Sequence, residues 1–480
     1  MFKEKKNSLL NNVILFYILI FIALLLYTLY RAEIFHHGNQ FLYYYKYYLI
    51  FSLGVIFWIF TYFLKKKFKI QIVTFFSSLI FLLYVYEVFQ YYDVKINFTK
   101  HENKKQINVK QKVIDTIKKS KNVDVVPAIF PKVILENNWL KNEDEPFPLG
   151  GVSNTVTVFC KEGDKFSVYK SDRFGFNNPD IEWNNNELDW LLVGDSFTQG
   201  SCVQPGEDIA SQIRYLNKKK VISLGMAGNG PLLELASLKE YAIGRKPKVV
   251  LWLYFERNDL HDLRIEKSSS RLIKYLDDNY SQNLQSKQKI IDNMLEEFIK
   301  KARDQFGKKD ESKKISLEKN ISFKKILRLK IFRDKTSLDR GFVFGVDPLF
   351  EKILINADNF VKKWDGKLYF VYLPDKERYV KKNINDSKYL NRTEVLTLVS
   401  RLNIPLIDIH SDFFMKQNDP ISFFAHRIYG HYSPEGYQKI SKIIVNKVKE
   451  KNSFNSDCKT ITFYKKNSLL LKFEKRFNLN

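Results

Sequence analysis

Long apolar stretches alternate with charged ones in a pattern that changes character near residue 92. Before that point lie three apolar and aromatic runs, Val13 to Tyr30, Tyr47 to Leu64 and Ile70 to Gln90; the first two are free of charge and the third is broken only by Glu87 near its end. Each is long enough to cross a hydrocarbon core of about 30 Å as a helix. A cleaved signal peptide would account for the first run but not for the second and third. Residues 1–92 are therefore expected to form a membrane region of three transmembrane helices, with Tyr43, Tyr44, Tyr45, Tyr47 and Tyr48 suited to an interfacial belt.

Beyond the membrane region the pattern is that of a folded domain. Residues 93–123 are polar and Lys-rich with little periodicity, and read as a stalk. Over 124–185 the alternation Thr155-Val156-Thr157-Val158 and the turn-rich Asp172 to Pro179 predict a small β-rich lead-in. Short apolar runs then recur at Trp190 to Val193, Lys220 to Leu224, Lys248 to Phe255, Lys367 to Pro374 and Pro405 to Ile409, and read as strands of an α/β domain over 186–450. The stripe Tyr437, Ile440, Ile444, Val448 marks a closing helix.

Residues 261–339 interrupt this domain with a charge-rich insertion. Within it Ile290, Ile291, Met294, Leu295, Phe298, Ile299 and Ala302 form one apolar helical face, with Glu296 to Lys300 and Glu297 to Lys301 as surface pairs. Such a helix could be a lid or could simply dock on the domain. The tail, 451–480, is basic with an apolar patch at Leu469 to Leu471.

Four segments carry candidate chemistry. Gly194-Asp195-Ser196-Phe197-Thr198-Gln199-Gly200 follows the first strand, where open α/β sheets place their reactive groups. After the second strand comes Gly225-Met226-Ala227-Gly228-Asn229-Gly230-Pro231, a turn whose missing side chains let backbone N–H groups approach a ligand, with Gly228 as donor. The third strand runs into Glu256-Arg257-Asn258-Asp259, where the Asn258 amide can add another donor. Far downstream, Gly430-His431-Tyr432-Ser433-Pro434 places His431 just before a helix with Ser433 as N-cap and Pro434 as first residue.

This order of Ser, Gly, Asn and His motifs resembles the SGNH, or GDSL, hydrolase family over roughly residues 186–449. The resemblance implies a three-layer α/β/α domain with a parallel sheet. It implies Ser196 as nucleophile and backbone oxyanion donor, Gly228 and Asn258 as the other oxyanion donors, and His431 as general base. Thr198 stands where the second Gly of an α/β-hydrolase elbow would be, which disfavours that competing fold. One position departs from the family. An aspartate is expected two or three residues before the histidine, and here stand Tyr429 and Ile428. A backbone carbonyl could orient the ring, or Asp408 or Asp412 could fold into reach, Asp408 being the better placed; a structural capping role for Asp408 is the alternative.

These residue types suit acyl transfer from an ester: an imidazole takes the serine proton during attack, and the donors stabilise the tetrahedral oxyanion. Water as acceptor gives an esterase and a sugar hydroxyl an acyltransferase, and the motifs do not separate the two. A catalytically weak or inactive glycan- or partner-binding protein is the other reading, suggested by the missing acid.

Lysines at positions 3, 5, 6, 65, 66, 67 and 69 favour a cytoplasmic N-terminus, but Lys95, Lys100, Lys104 and Lys105 flank the opposite side. Cysteine usage tips the balance. Cys160 and Cys202 flank the strand leading to Ser196, and a disulfide between them would fix the nucleophile turn and fit an extracytoplasmic catalytic domain, the alternative being two buried thiols; Cys458 is left over. The formal charge of +25 is spread over stalk, insertion and tail without a nucleic-acid motif, so a membrane surface or an acidic glycan is the expected neighbour and nucleic acid is not. An acylated carbohydrate or other ester is the expected substrate. His36, His37, His101, His261, His410 and His426 lack metal-ligand spacing, and neither metal nor cofactor is expected.

Overall fold

In a computed structural model the described residues are 2–35, 41–100, 110–111, 113–119, 122–140, 142–184, 187–312, 326–336, 338, 345–380 and 391–453. His36, His37, His101, Cys458 and nearly all of the basic tail lie outside them.

Helices Phe2–Leu29, Phe41–Phe63 and Lys66–Lys100 contain spans long and apolar enough to cross a membrane, Leu9–Ile34, Tyr43–Phe63 and Lys66–Gln90. The third helix thus runs past residue 92, into what the sequence suggests is stalk. Residues 113–119 are also helical, and Ile114 is buried against Val125 and Val158. Part of the expected stalk is therefore folded onto the lead-in.

The lead-in forms a three-stranded sheet of β1 (Val125–Pro127), β2 (Val156–Val158) and β3 (Val168–Lys170), with β1 parallel and β3 antiparallel to β2. Helix Pro131–Glu136 follows β1, with proline in its first turn where no hydrogen bond is lost.

The main sheet has five strands, β4 (Trp190–Gly194), β5 (Val221–Ser223), β6 (Val249–Phe255), β7 (Lys367–Leu373) and β8 (Leu406–Asp408), in the order β5-β4-β6-β7-β8. Every pairing is parallel. A parallel sheet covered on both faces needs apolar side chains pointing both ways, which is why these strands read as unbroken apolar runs. Alternate residues feed two cores. Leu191, Val193, Val250, Trp252, Tyr254, Leu368, Phe370 and Tyr372 face one side, with helices Pro231–Tyr241, Pro348–Lys362 and Asn391–Arg401. Trp190, Leu192, Leu251, Leu253, Tyr369 and Val371 face the other, with helices Ile209–Asn217 and Pro434–Ser453. The result is a three-layer α/β/α domain preceded by three helices able to span a membrane.

Helix Gln288–Ser312 docks on this domain: Ile291 and Leu295 join the first core, and Phe298 meets Trp139 edge to face at 4.9 Å. The end of the insertion returns to the apolar helices. Glu87 is buried and accepts hydrogen bonds from Ile331 N at 2.7 Å and Phe332 N at 2.9 Å, at the start of helix Lys330–Lys335. Arg333 donates to the hydroxyls of Tyr43 and Tyr47, and Lys335 to Tyr86 and Gln90.

Candidate active site

The turn that carries Ser196 begins with a glycine whose place any side chain would crowd. Gly194 ends β4 with φ of +156°, and a Cβ there would lie 2.1 Å from Thr198 Oγ1 and 2.8 Å from Leu253 O. Asp195 caps the short helix Ser196–Gln199 by accepting from Phe197 N at 2.9 Å. Burial pushes the Asp195 carboxyl above its ordinary range, against the pull of that backbone hydrogen bond and of His431.

Ser196 Oγ lies 2.9 Å from His431 Nε2. Ser433 accepts from Gly436 N at 3.1 Å and so caps helix Pro434–Ser453, which fixes the loop that carries His431. The imidazole also packs on Phe197, with ring centres 4.9 Å apart, and Phe197 is itself wedged against Phe255 and Tyr432.

The carboxylate beside His431 comes from the lead-in. Glu162 Oε1 lies 2.7 Å from His431 Nδ1, and Oε2 accepts from His431 N at 3.3 Å. A carboxylate on Nδ1 requires a proton there, which leaves the lone pair of Nε2 facing the serine hydroxyl; the tautomer is assigned from this network. Asp408, the better placed of the two candidate acids, does not reach the histidine. It sits on β8, three strand spacings of about 4.8 Å from β4, roughly 14 Å in all, and is paired with Arg392 and with Ser411 Oγ at 2.6 Å. Asp412 pairs with Lys447 at 3.5 Å. Tyr429 and Ile428 are exposed, and the Ile428 carbonyl accepts from Lys376.

Cys160 and Cys202 are joined by a disulfide. The bridge ties the segment bearing Glu162 to the turn just beyond Ser196. Glu162, Cys202 and His431 place potential ligand atoms within 4.8 Å of one another, but the Cys202 sulfur is bonded to Cys160 and both ring nitrogens have protein partners. That donor set suits a hydrogen-bonded triad better than a metal ion.

Gly228 and Asn258 follow β5 and β6, the two strands that flank β4 in the sheet. Gly228 adopts φ of +81°, and its N–H has no backbone acceptor among the described residues. Asn258 precedes helix Asp259–Glu266, and its Nδ2 lies 2.8 Å from Asp262 Oδ2 and 3.3 Å from Asp195 Oδ2. This helix runs on into the stretch that the sequence marks as insertion, yet Asp259, Asp262 and Glu266 are buried. Burial and the neighbouring carboxylates raise Asp259 and Glu234 well above the ordinary range. Of the other histidines, His261 lies 3.4 Å from Asp262, His410 bonds Tyr379 at 2.8 Å, and His426 lies beside Gly163.

Glu162 is the residue that the sequence reading misses. Its hydrogen bond spans 269 positions, and the loop Lys161-Glu162-Gly163-Asp164 has no periodicity to mark it. The one usable signal is Cys160: a bridge to Cys202 carries Glu162 toward Ser196.

Comparison with known proteins adds little sequence-level information: no family model and no curated protein matches the chain. Among solved structures the chain is similar to one from Desulfitobacterium hafniense DCB-2 assigned to the lipolytic G-D-S-L family, at 11% identity over 55% of this chain and 99% of the other, with a TM-score of 0.28.

Proposed function

We propose that the chain is a membrane-anchored serine esterase or O-acyltransferase that works through an acyl-Ser196 intermediate. The observation that carries this reading is the continuous chain Ser196 Oγ, His431, Glu162. Ser196 attacks the ester carbonyl while His431 Nε2 takes the hydroxyl proton, and Glu162 holds the imidazolium that forms. The oxyanion is received by the backbone N–H groups of Ser196 and Gly228 and by Asn258 Nδ2, whose longer contact to Asp195 gives way. Collapse breaks the ester C–O bond, and the alcohol leaves with the proton held by His431. Water or a sugar hydroxyl then attacks the acyl-serine, loses its proton to His431, and regenerates Ser196.

The proposed substrate is an ester-linked acyl group of an envelope polysaccharide outside the cytoplasmic membrane. Support comes from the spans, which would hold the domain at an envelope surface, and from the disulfide, which persists in oxidising compartments. The carboxylate beside His431 supports this reading over that of an inactive binding protein. The test is labelling of the full chain in detergent with a serine-directed fluorophosphonate, read by peptide mass spectrometry. Labelling at Ser196 that is lost in Ser196→Ala and His431→Ala is expected. A folded wild type that takes no label overturns the reading.

A further inference from the structure

The lead-in also reaches the Gly228 turn. Helix Pro131–Glu136 carries Lys132, whose Nζ lies 2.6 Å from Asp262 Oδ1. The stem of the same side chain covers the oxyanion turn closely: a Cβ on Gly228 would come within 2.7 Å of Lys132 Cδ. Asp262 is almost wholly buried and presents its other oxygen to Asn258 Nδ2 at 2.8 Å. Lys132, Asp262 and Asn258 thus form a hydrogen-bonded row that ends at the proposed oxyanion site.

We propose that Lys132 is a positioning residue for the oxyanion hole, acting through Asp262 to hold the nitrogen end of the Asn258 amide toward the reacting carbonyl. This rests on the proposed acyl-serine reading. An amide can present either end. Its oxygen, turned toward a developing oxyanion, would repel the charge that its nitrogen stabilises. A carboxylate paired with an ammonium group has no hydrogen to offer, so only the nitrogen end of Asn258 can face Asp262. Lys132 holds one oxygen of Asp262 and thereby fixes how the carboxylate presents the other to Asn258 Nδ2. Without that ion pair the carboxylate can rotate, and the amide, whose Oδ1 is buried and has no partner among the described residues, is no longer held in one orientation. Among the described residues His261 also faces Asp262, at 3.4 Å and largely exposed, which makes it a weaker substitute.

The experiment is a double-mutant cycle on the full-length protein in detergent, with p-nitrophenyl acetate as the ester. Lys132→Met keeps the stem over Gly228 and removes the charge. It is expected to lower kcat about 10- to 100-fold, less than the roughly 10²- to 10³-fold cost of deleting an oxyanion donor, with KM within about twofold and with restoration by Lys132→Arg. In an Asn258→Ala background the same substitution is expected to cost almost nothing further, because the group it positions is gone. A loss of equal size in both backgrounds, or no loss in the wild-type background, overturns the proposal while leaving Ser196 catalysis intact. Turnover that survives Ser196→Ala unchanged overturns the acyl-serine reading instead, and this proposal with it. A thermal melt of each variant separates unfolding from loss of positioning.

Discussion

At the scale of single residues, the site is decided by what each nitrogen of His431 faces. Glu162 takes Nδ1 and the backbone N–H of the same residue, so its two oxygens serve two donors. A glutamine has one oxygen for those two donors. In Glu162→Gln the carbonyl can satisfy one of them, and an amide N–H turned toward Nδ1 would favour the tautomer with hydrogen on Nε2, which cannot accept the Ser196 proton. We expect kcat for a small ester to fall by up to about 10⁴-fold, the loss produced by neutralising a triad acid, with little change in Tm. Steady-state kinetics checks it; activity within twofold of wild type would show that Glu162 does not orient the ring. Ser196, Gly228, Asn258 and His431 are visible in the sequence because each stands at a strand end, a glycine turn or a helix start, where its own neighbours mark it. Glu162 has no such local mark, since what places it is a covalent bond two residues away.

At the scale of elements, the apolar runs of the strands forecast the sheet well, because burial on both faces leaves little freedom in composition. Helix Asp259–Glu266 was harder to read. Its sequence Asp-Leu-His-Asp-Leu-Arg-Ile-Glu looks like a solvated face, yet all three of its acidic positions are used inside. Glu266 shows why. Its oxygens accept from Gly230 N at 2.6 Å and Leu232 N at 2.9 Å, and so satisfy the orphan donors at the start of helix Pro231–Tyr241. Burial, opposed in part by those hydrogen bonds, raises the Glu266 carboxyl from 4.5 to about 8. The sign of the linkage follows. The folded state holds this proton more tightly than the unfolded chain, so the stabilisation is fully present below pH of about 4.5 and is lost as pH rises through about 8. Melting curves across that window should show Tm falling with pH in the wild type and a shallower slope in Glu266→Gln. Identical slopes would remove Glu266 as the source.

At the scale of the whole molecule, the insertion that separates β6 from β7 does more than lengthen the chain. It leaves the α/β/α domain and returns to the apolar helices, where the Glu87 carboxylate accepts from the Ile331 and Phe332 N–H groups in the first turn of helix Lys330–Lys335. A negative group at a helix N-terminus is favourable both as a hydrogen-bond acceptor and toward the helix dipole. Composition could not reveal this: Glu87 reads only as a blemish near the end of an apolar run, and its partners lie 244 and 245 positions away. The spans are therefore held to the rest of the chain at two separated points, through the long helix Lys66–Lys100 and through the returning insertion. Glu87→Ala should release the second point. Loss of a charged hydrogen-bond acceptor costs about 1.5–3 kcal/mol, so the fraction of time that helix Lys330–Lys335 spends detached should rise roughly 10- to 100-fold. Arg333 and Lys335 are trypsin sites within that helix, and cleavage limited by local opening follows the open population. In lipid nanodiscs, limited trypsin digestion should therefore cut the Glu87→Ala variant at these positions that much faster than the wild type, while fluorophosphonate labelling at Ser196 proceeds at an unchanged rate, because no residue of the active site touches this contact. Equal cleavage rates would mean that Glu87 does not hold the helix in place.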